Sequence, residues 1–326
     1  MKRGIEKLIF NPSRLRDYAA CKFRYFTKYI KKLAAPFRVA APRELGSFIH
    51  AGEAAVDEGK PITAAIRRSL KAFKLSGGYQ SADAAVLEQL AHEAGQIIEG
   101  GIWVNGKGRR SSNESYQQWK RENFRLKSKN PGSRAKILFV EKRFFTDIGP
   151  LILAPKLDMG LQTQMWAREE NEVWAVEKKT TTKWATEGDA QVAWKRKWVM
   201  DIQTTVQYVV LEKEGYNVIG CMVQPIVYSR QACKGKKNPQ PIGKVSRPPL
   251  VWTRKPAAVI AHFKAWMEDL PKEVLQRTQS NYWPADGMAN GSCDLCNLAA
   301  YCRNEGNLVR REDDEVDIYR QKRGWE

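Results

Sequence analysis

Three observations predict an α/β protein whose helical first part feeds a central sheet. Apolar residues recur at helical spacing through the first 135 residues, and strict alternation takes over from 136. Four cysteines bracket the chain: Cys21 near its start, and Cys293, Cys296 and Cys302 near its end as C-x2-C-x5-C. The organisation expected is a helical region at 1–135, a sheet-bearing core at 136–229, a basic loop or insertion at 230–255, and a C-terminal helix, cysteine cluster and tail at 256–326. With 326 residues, 43% of them hydrophobic, the chain can bury a sizeable core, which excludes wholesale disorder.

Each element has a local reason. Asn11-Pro12-Ser13 starts a helix over 13–30, SRLRDYAACKFRYFTKYI, in which Leu15, Tyr18, Phe23, Phe26 and Ile30 share a face with Cys21 among them. A second helix begins near Arg43 and carries GSFIHAGEAAVDEG, and two more cover 62–75 and 81–104. Alternation marks strands at 136–145, 151–158 and 173–179, with the polar AREENE (167–172) as a hairpin turn. A helix follows from Asp201 to Glu214, then a strand at 218–228. Residues 230–255 are rich in Lys, Arg, Pro and Gly and hold no acid, so they read as a loop. A helix near 256–276 leads into the cysteines, and the charged tail after Arg303 reads as loosely held.

The formal net charge is +19, and the excess is clustered at 107–136, 183–197 and 230–255. Such a balance fits a polyanionic partner, with nucleic acid foremost. Trp184, Trp194, Trp198 and Tyr208 lie beside Lys183, Lys195, Arg196 and Lys197. Aromatics that stack on bases and cations that meet phosphates bind single strands in this way; the same tryptophans serve equally well as core anchors. No stretch approaches the roughly 20 apolar residues of a transmembrane helix, and no signal peptide is evident. The sequence therefore predicts a cytoplasmic protein with no membrane partner. Without export, six cysteines point to metal ligation or free thiols rather than disulfides.

The chemistry gathers around Asp158 and the triplet Glu177-Lys178-Lys179. On a strand, Glu177 and Lys179 share a face. If that strand pairs with the one ending at Asp158, two carboxylates approach each other and repel unless a cation lies between them. Mg²⁺ or Mn²⁺ suits such oxygen ligands, and Lys179 can position the attacking water that the metal acidifies. His50 follows Gly46 on a helix that can come close to the metal, and Glu53, one turn on, can reach it through water. Gln203, Gln207 and Tyr208 stand on the next helix, where polar side chains can hold phosphate or the catalytic lysine. Four thiolates hold zinc or an iron–sulfur cluster, with Cys221 and Cys233 set aside as non-ligands.

These residues, in this order, resemble the PD-(D/E)XK nuclease superfamily, in its RecB-like branch with an iron–sulfur staple. The likeness runs from SRLRDYAACKFRYF to CDLCNLAAYC. It implies a restriction-endonuclease-like core, a mixed central sheet flanked by helices, with its two chain ends joined by the staple. By position it assigns His50, Asp158, Glu177 and the carbonyl of Lys178 to the metal and makes Lys179 the catalytic lysine. Cys21, Cys293, Cys296 and Cys302 would hold a [4Fe–4S] cluster. The branch usually carries Gln and then Tyr four residues later; here Gln207 stands at that distance from Gln203, and Tyr208 comes one later. The activity implied is a Mg²⁺- or Mn²⁺-dependent deoxyribonuclease, an exonuclease on single-stranded DNA or duplex ends in recombination, repair or phage DNA processing. A non-catalytic DNA-binding scaffold of the same fold and a zinc-stapled RNA-processing protein are the alternatives.

Overall fold

The computed structural model describes residues 8–34, 41–75, 81–99, 101–104, 107–110, 115–123, 135–163, 172–181, 196–230, 242–247, 250–288, 291, 293, 296, 298–302 and 309–310. In chain order the elements are β1 (Leu8–Phe10), α1 (Pro12–Ala20), α2 (Lys22–Tyr25), β2 (Leu33–Ala34), α3 (Ala41–Asp57), α4 (Ile62–Leu75), α5 (Ser81–Glu99), β3 (Gly101–Val104), β4 (Lys107–Arg110) and α6 (Tyr116–Asn123). The core continues with β5 (Lys136–Arg143), β6 (Thr146–Ile148), β7 (Leu151–Leu153), β8 (Lys156–Gln162), β9 (Val173–Thr181), α7 (Ile202–Lys213) and β10 (Val218–Arg230). It closes with β11 (Ile242–Ser246), β12 (Val251–Thr253), α8 (Ala257–Ser280), α9 (Ala299–Cys302) and β13 (Val309–Arg310).

The six-stranded main sheet runs β11-β10-β9-β8-β5, with β12 also on β10. β9 and β10 are parallel, joined by the crossover that contains α7, while β5, β8 and β9 are successively antiparallel. The sheet is mixed, as the sequence implied. Alternation along β9 sorts its side chains between two cores. Trp174 and Val176 join Leu45, Phe48 and Ile49 of α3 and Leu90 and Ala94 of α5. Ala175 joins Val206, Val209 and Val210 of α7 and Ile260, Phe263 and Met267 of α8. Helices thus cover both faces, and the charged end of β9 emerges between the two layers.

Four expectations change. The first helix is broken at Cys21, whose backbone is extended (φ −167°, ψ 117°). α1 ends there, α2 restarts, and one π-helical turn follows over Phe26–Ile30. The break rotates the apolar stripe, so Tyr25 is buried while Ile30 is left 40% exposed. The strand expected at 151–158 is two strands, split at Ala154-Pro155; β7 pairs with β1 and β6 in a separate three-stranded sheet. The basic stretch 230–255 contributes β11 and β12, antiparallel to β10, so these parts of it lie in the sheet rather than in a loop. The helix expected over 81–104 stops at Glu99, and Gly101–Val104 is a strand paired with β4. In the tail, Val309–Arg310 pairs with β2. The turn between β8 and β9 lies outside the described residues at 164–171.

The two ends of the chain meet through ordinary contacts as well as through cysteines. Asp286 accepts the Lys22 backbone N–H at 3.0 Å and pairs with the Lys22 ammonium at 3.0 Å, capping α2 from the far end of the sequence. Phe23 donates its backbone N–H to Pro284 at 3.0 Å. Trp283 stacks on Phe26 with ring centroids 5.1 Å apart.

Candidate active site

The site sits where β8 begins and β9 ends. Met159 pairs with Val176, and the antiparallel register carries Asp158 next to Glu177. Asp158 Oδ2 accepts the Lys178 backbone N–H at 2.7 Å, and Asp158 Oδ1 lies 3.3 Å from His50 Nδ1. α3 delivers His50. A Cβ on Gly46 would lie 3.0 Å from Thr180 Oγ1, so the glycine lets the helix rest close on β9, one turn before His50, without displacing the threonine.

From the other layer comes α7, capped by Asp201, whose side chain accepts the Thr204 N–H at 3.1 Å. Gln203 and Gln207, four residues apart, point the same way. Gln203 Nε2 donates to Glu177 Oε1 at 2.6 Å, and Gln207 Nε2 donates to Glu177 Oε2 at 2.5 Å. Lys179 forms an ion pair with Glu177 and donates to Gln203 Oε1 at 3.1 Å. Gln203 therefore bridges the acid and the lysine.

Burial and mutual repulsion set the charges. Burial and the charge of Asp158 push the Glu177 carboxyl up, against the pull of Lys179. Burial pushes Asp158 up too. The His50 imidazolium and the donors of Lys178 outweigh it and hold Asp158 down at about 2. Burial lowers His50, but Asp158, Glu141 and Glu177 together raise it above its ordinary value. Every acid in the cluster favours a cation beside it.

His50, Asp158, Glu177, Lys179, Gln203 and Gln207 are brought together. Tyr208 is not: turned about 100° further round α7, it is half-buried against the apolar core and feels Glu212 and Lys264 instead. Gln207 therefore occupies the place that the resemblance gave to a tyrosine. Glu53 is not brought to this cluster either. Its Oε1 pairs with Arg247 at 2.6 Å and its Oε2 lies 3.4 Å from Lys178 Nζ, both deep inside. Trp198 packs with Val223 and Val251 in the core, with Lys197 Nζ 4.4 Å from its ring centre. Trp184, Trp194, Lys183 and Lys195 lie outside the described residues. His92 and His262 are exposed on helices.

Some site neighbours carried no sequence motif. Arg16, exposed on α1, donates to Gln203 Oε1 at 3.0 Å, so two cations share that one amide oxygen. Glu141 of β5 stands beside His50 and Asp158. Asp57, Lys120 and Arg247 join Glu53 and Lys178 in a buried ion cluster: Asp57 meets Lys178 at 2.9 Å and Lys120 at 2.8 Å. A helical face rich in both acid and apolar residues was the one available hint of Asp57.

The four bracketing cysteines lie together in a second place. Cys21, Cys293, Cys296 and Cys302 line one cavity of about 100 Å³, together with Phe23, Arg24 and Gly287. A Cβ on Gly287 would lie 3.1 Å from Cys21 Cβ and 3.5 Å from its sulfur, so this glycine keeps the space beside the thiol open. Cys221 is elsewhere, buried, with its thiol donating to the Thr204 carbonyl at 3.2 Å.

A hydrolase that works through a divalent cation is the class of protein that this fold and donor set define. The family model of the PD-(D/E)XK nuclease superfamily matches residues 9–303, and the chain belongs to that superfamily. Membership makes it a nuclease that uses divalent metal and takes nucleic acid as its substrate. A search of curated proteins found no match. Among the described residues, no helix is long and apolar enough to cross a membrane.

Proposed function

We propose that this nuclease is a Mg²⁺- or Mn²⁺-dependent DNA exonuclease of the RecB-like branch, acting on single strands or duplex ends, with a [4Fe–4S] cluster joining its chain ends. The reading is carried by the convergence of Glu177 and Lys179 from one face of β9 with Asp158 of β8 and His50 of α3. The net charge of +19 supports a polyanionic substrate.

The donor set fits a hard divalent cation: carboxylates of Asp158 and Glu177, the imidazole of His50 and the carbonyl of Lys178 would hold it. When bound, the cation acidifies water and withdraws charge from the phosphate. In hydrolysis a water oxygen bonds to phosphorus and gives up a proton, the bond from phosphorus to the leaving oxygen breaks, and the leaving oxygen takes up a proton. Lys179 holds the attacking oxygen and counters charge on the phosphate. Gln203 keeps the ammonium against Glu177, and Gln207 fixes the far carboxylate oxygen, so neither charged group swings away. Arg16, at the rim, meets a phosphate of the bound strand.

The cysteine cavity fits a multi-atom cluster better than a single zinc. Zinc draws four sulfurs to about 2.3 Å from one point. The cavity of about 100 Å³ that the four cysteines share with Phe23, Arg24, Gly287 and other residues supports a group of several atoms.

Cleavage of end-labelled and circular DNA, single- and double-stranded, with and without Mn²⁺, tests the activity. Metal-dependent release from ends is expected; cutting of circles would replace exonuclease with endonuclease. Iron content and visible absorbance test the cluster. Cys21→Ala should lose both and melt earlier, yet stay folded, because Asp286 and Trp283 still hold α2. Cys233→Ala should keep its iron. Wild-type iron in Cys21→Ala would remove Cys21 from the ligand set.

A further inference from the structure

We propose that Glu141 is a further ligand of the divalent cation in this site, an inference that rests on the nuclease reading and adds a residue the acid-x-lysine pattern does not include. β5 and β8 are antiparallel, with Val140 opposite Met159 and Lys142 opposite Leu157. Glu141 therefore lies opposite Asp158, as Asp158 lies opposite Glu177. Three carboxylates stand on one rung across three neighbouring strands, an arrangement that repels itself without cations between them.

The gathering is closest on the β5 side. His50, Glu141 and Asp158 each offer a ligand atom, and these atoms lie within 4.8 Å of one another. Both oxygens of Glu177 are engaged by Gln203, Gln207 and Lys179, whereas Glu141 is only half engaged. Its Oε2 pairs with Lys156 at 2.5 Å. Its Oε1 is buried and has no hydrogen-bond partner among the described residues. A buried carboxylate oxygen without a donor is costly, and a cation shared with Asp158 and His50 satisfies it. The backbone of Glu141 supports a special role: its φ of 48° lies in the left-handed region, rare for a residue with a side chain, in the middle of a strand. Two carboxylates with one imidazole are a ligand set that Mn²⁺ accepts readily.

The test is Mn²⁺ binding to the full chain, by calorimetry and by the Mn²⁺-induced rise in Tm. Each variant is read against its own metal-free Tm, so lost stability alone does not count. Glu141→Gln should weaken Mn²⁺ binding about tenfold or more and shrink the Tm rise, as Glu177→Gln should. Wild-type affinity and a full Tm rise in Glu141→Gln, with Glu177→Gln impaired, would overturn the role of Glu141 alone. No Mn²⁺ binding by the wild type would overturn the nuclease reading together with it.

Discussion

The two faces of β9 carry the same residue types to different ends. On one face Glu177 and Lys179 meet, held by the amides of Gln203 and Gln207, with the lysine 29% exposed and the glutamate 1%. On the other face Lys178, 1% exposed, meets Glu53 and Asp57 far from solvent. Lys120 and Arg247 complete that second cluster, and the Tyr116 hydroxyl donates to both oxygens of Asp57 at 2.9 Å. The Lys178 and Arg247 cations lie over the Tyr116 ring, 4.7 and 5.0 Å from its centre. One glutamate–lysine pair reaches solvent through its lysine; the other ties α3, α6, β9 and the end of β11 together. Because α3 carries both His50 and Asp57, the sealed cluster also sets how the open one is spaced.

The contrast can be broken from either side. The largest effect belongs to the open face. Glu177→Gln should lower the cleavage rate by roughly 10³-fold or more. It should leave Tm unchanged or raise it, since one of three crowded carboxylates loses its charge. Assays beside thermal melts decide this, and a collapse of stability would place Glu177 with the scaffold instead. The next effect belongs to the sealed face. Its described members hold three cations and two anions, so Asp57→Asn should cost about 3–5 kcal/mol by leaving buried cations uncompensated. Lys178→Met leaves two of each sign and should cost clearly less, at most about 1–2 kcal/mol. Denaturant melts of the two variants give the order, and the reverse order would refute this charge count. The smallest effect is at the rim. Arg16→Ala should raise KM more than it lowers kcat. It should also flatten the salt dependence of single-strand affinity by about 0.7 in log–log slope, the share of one phosphate contact. An unchanged slope would return Arg16 to ordinary surface duty.

How much of this was legible in the sequence follows from what each residue depends on. Asp158, Glu177 and Lys179 were readable because strand alternation and one hairpin fix their relation locally. His50 was readable because Gly46, one turn earlier, marks a close approach that Thr180 makes real. Glu141 was not, since its place beside Asp158 depends on the register of β5, which no motif announces. Lys178 was read for its carbonyl alone; the ion cluster that takes its side chain is assembled from residues 53, 57, 120 and 247, spread across the chain. The run at 230–255 misled because Lys, Pro and Gly mimic a loop, while the pairing edge of β10 imposes strands on parts of it. The helix break at Cys21 was hidden because the apolar spacing continues through it, and the cap that restarts the helix, Asp286, comes from the other end of the chain.

The central claim is that the open face of β9 does the chemistry, and Lys179→Ala beside the wild type tests it most directly. With end-labelled single-stranded DNA and Mn²⁺, the wild type should release labelled product, and chelation of the metal should stop it. Lys179→Ala should bind the same DNA with nearly wild-type affinity and release none. Release by Lys179→Ala at the wild-type rate, or release by the wild type unaffected by chelation, would contradict the account.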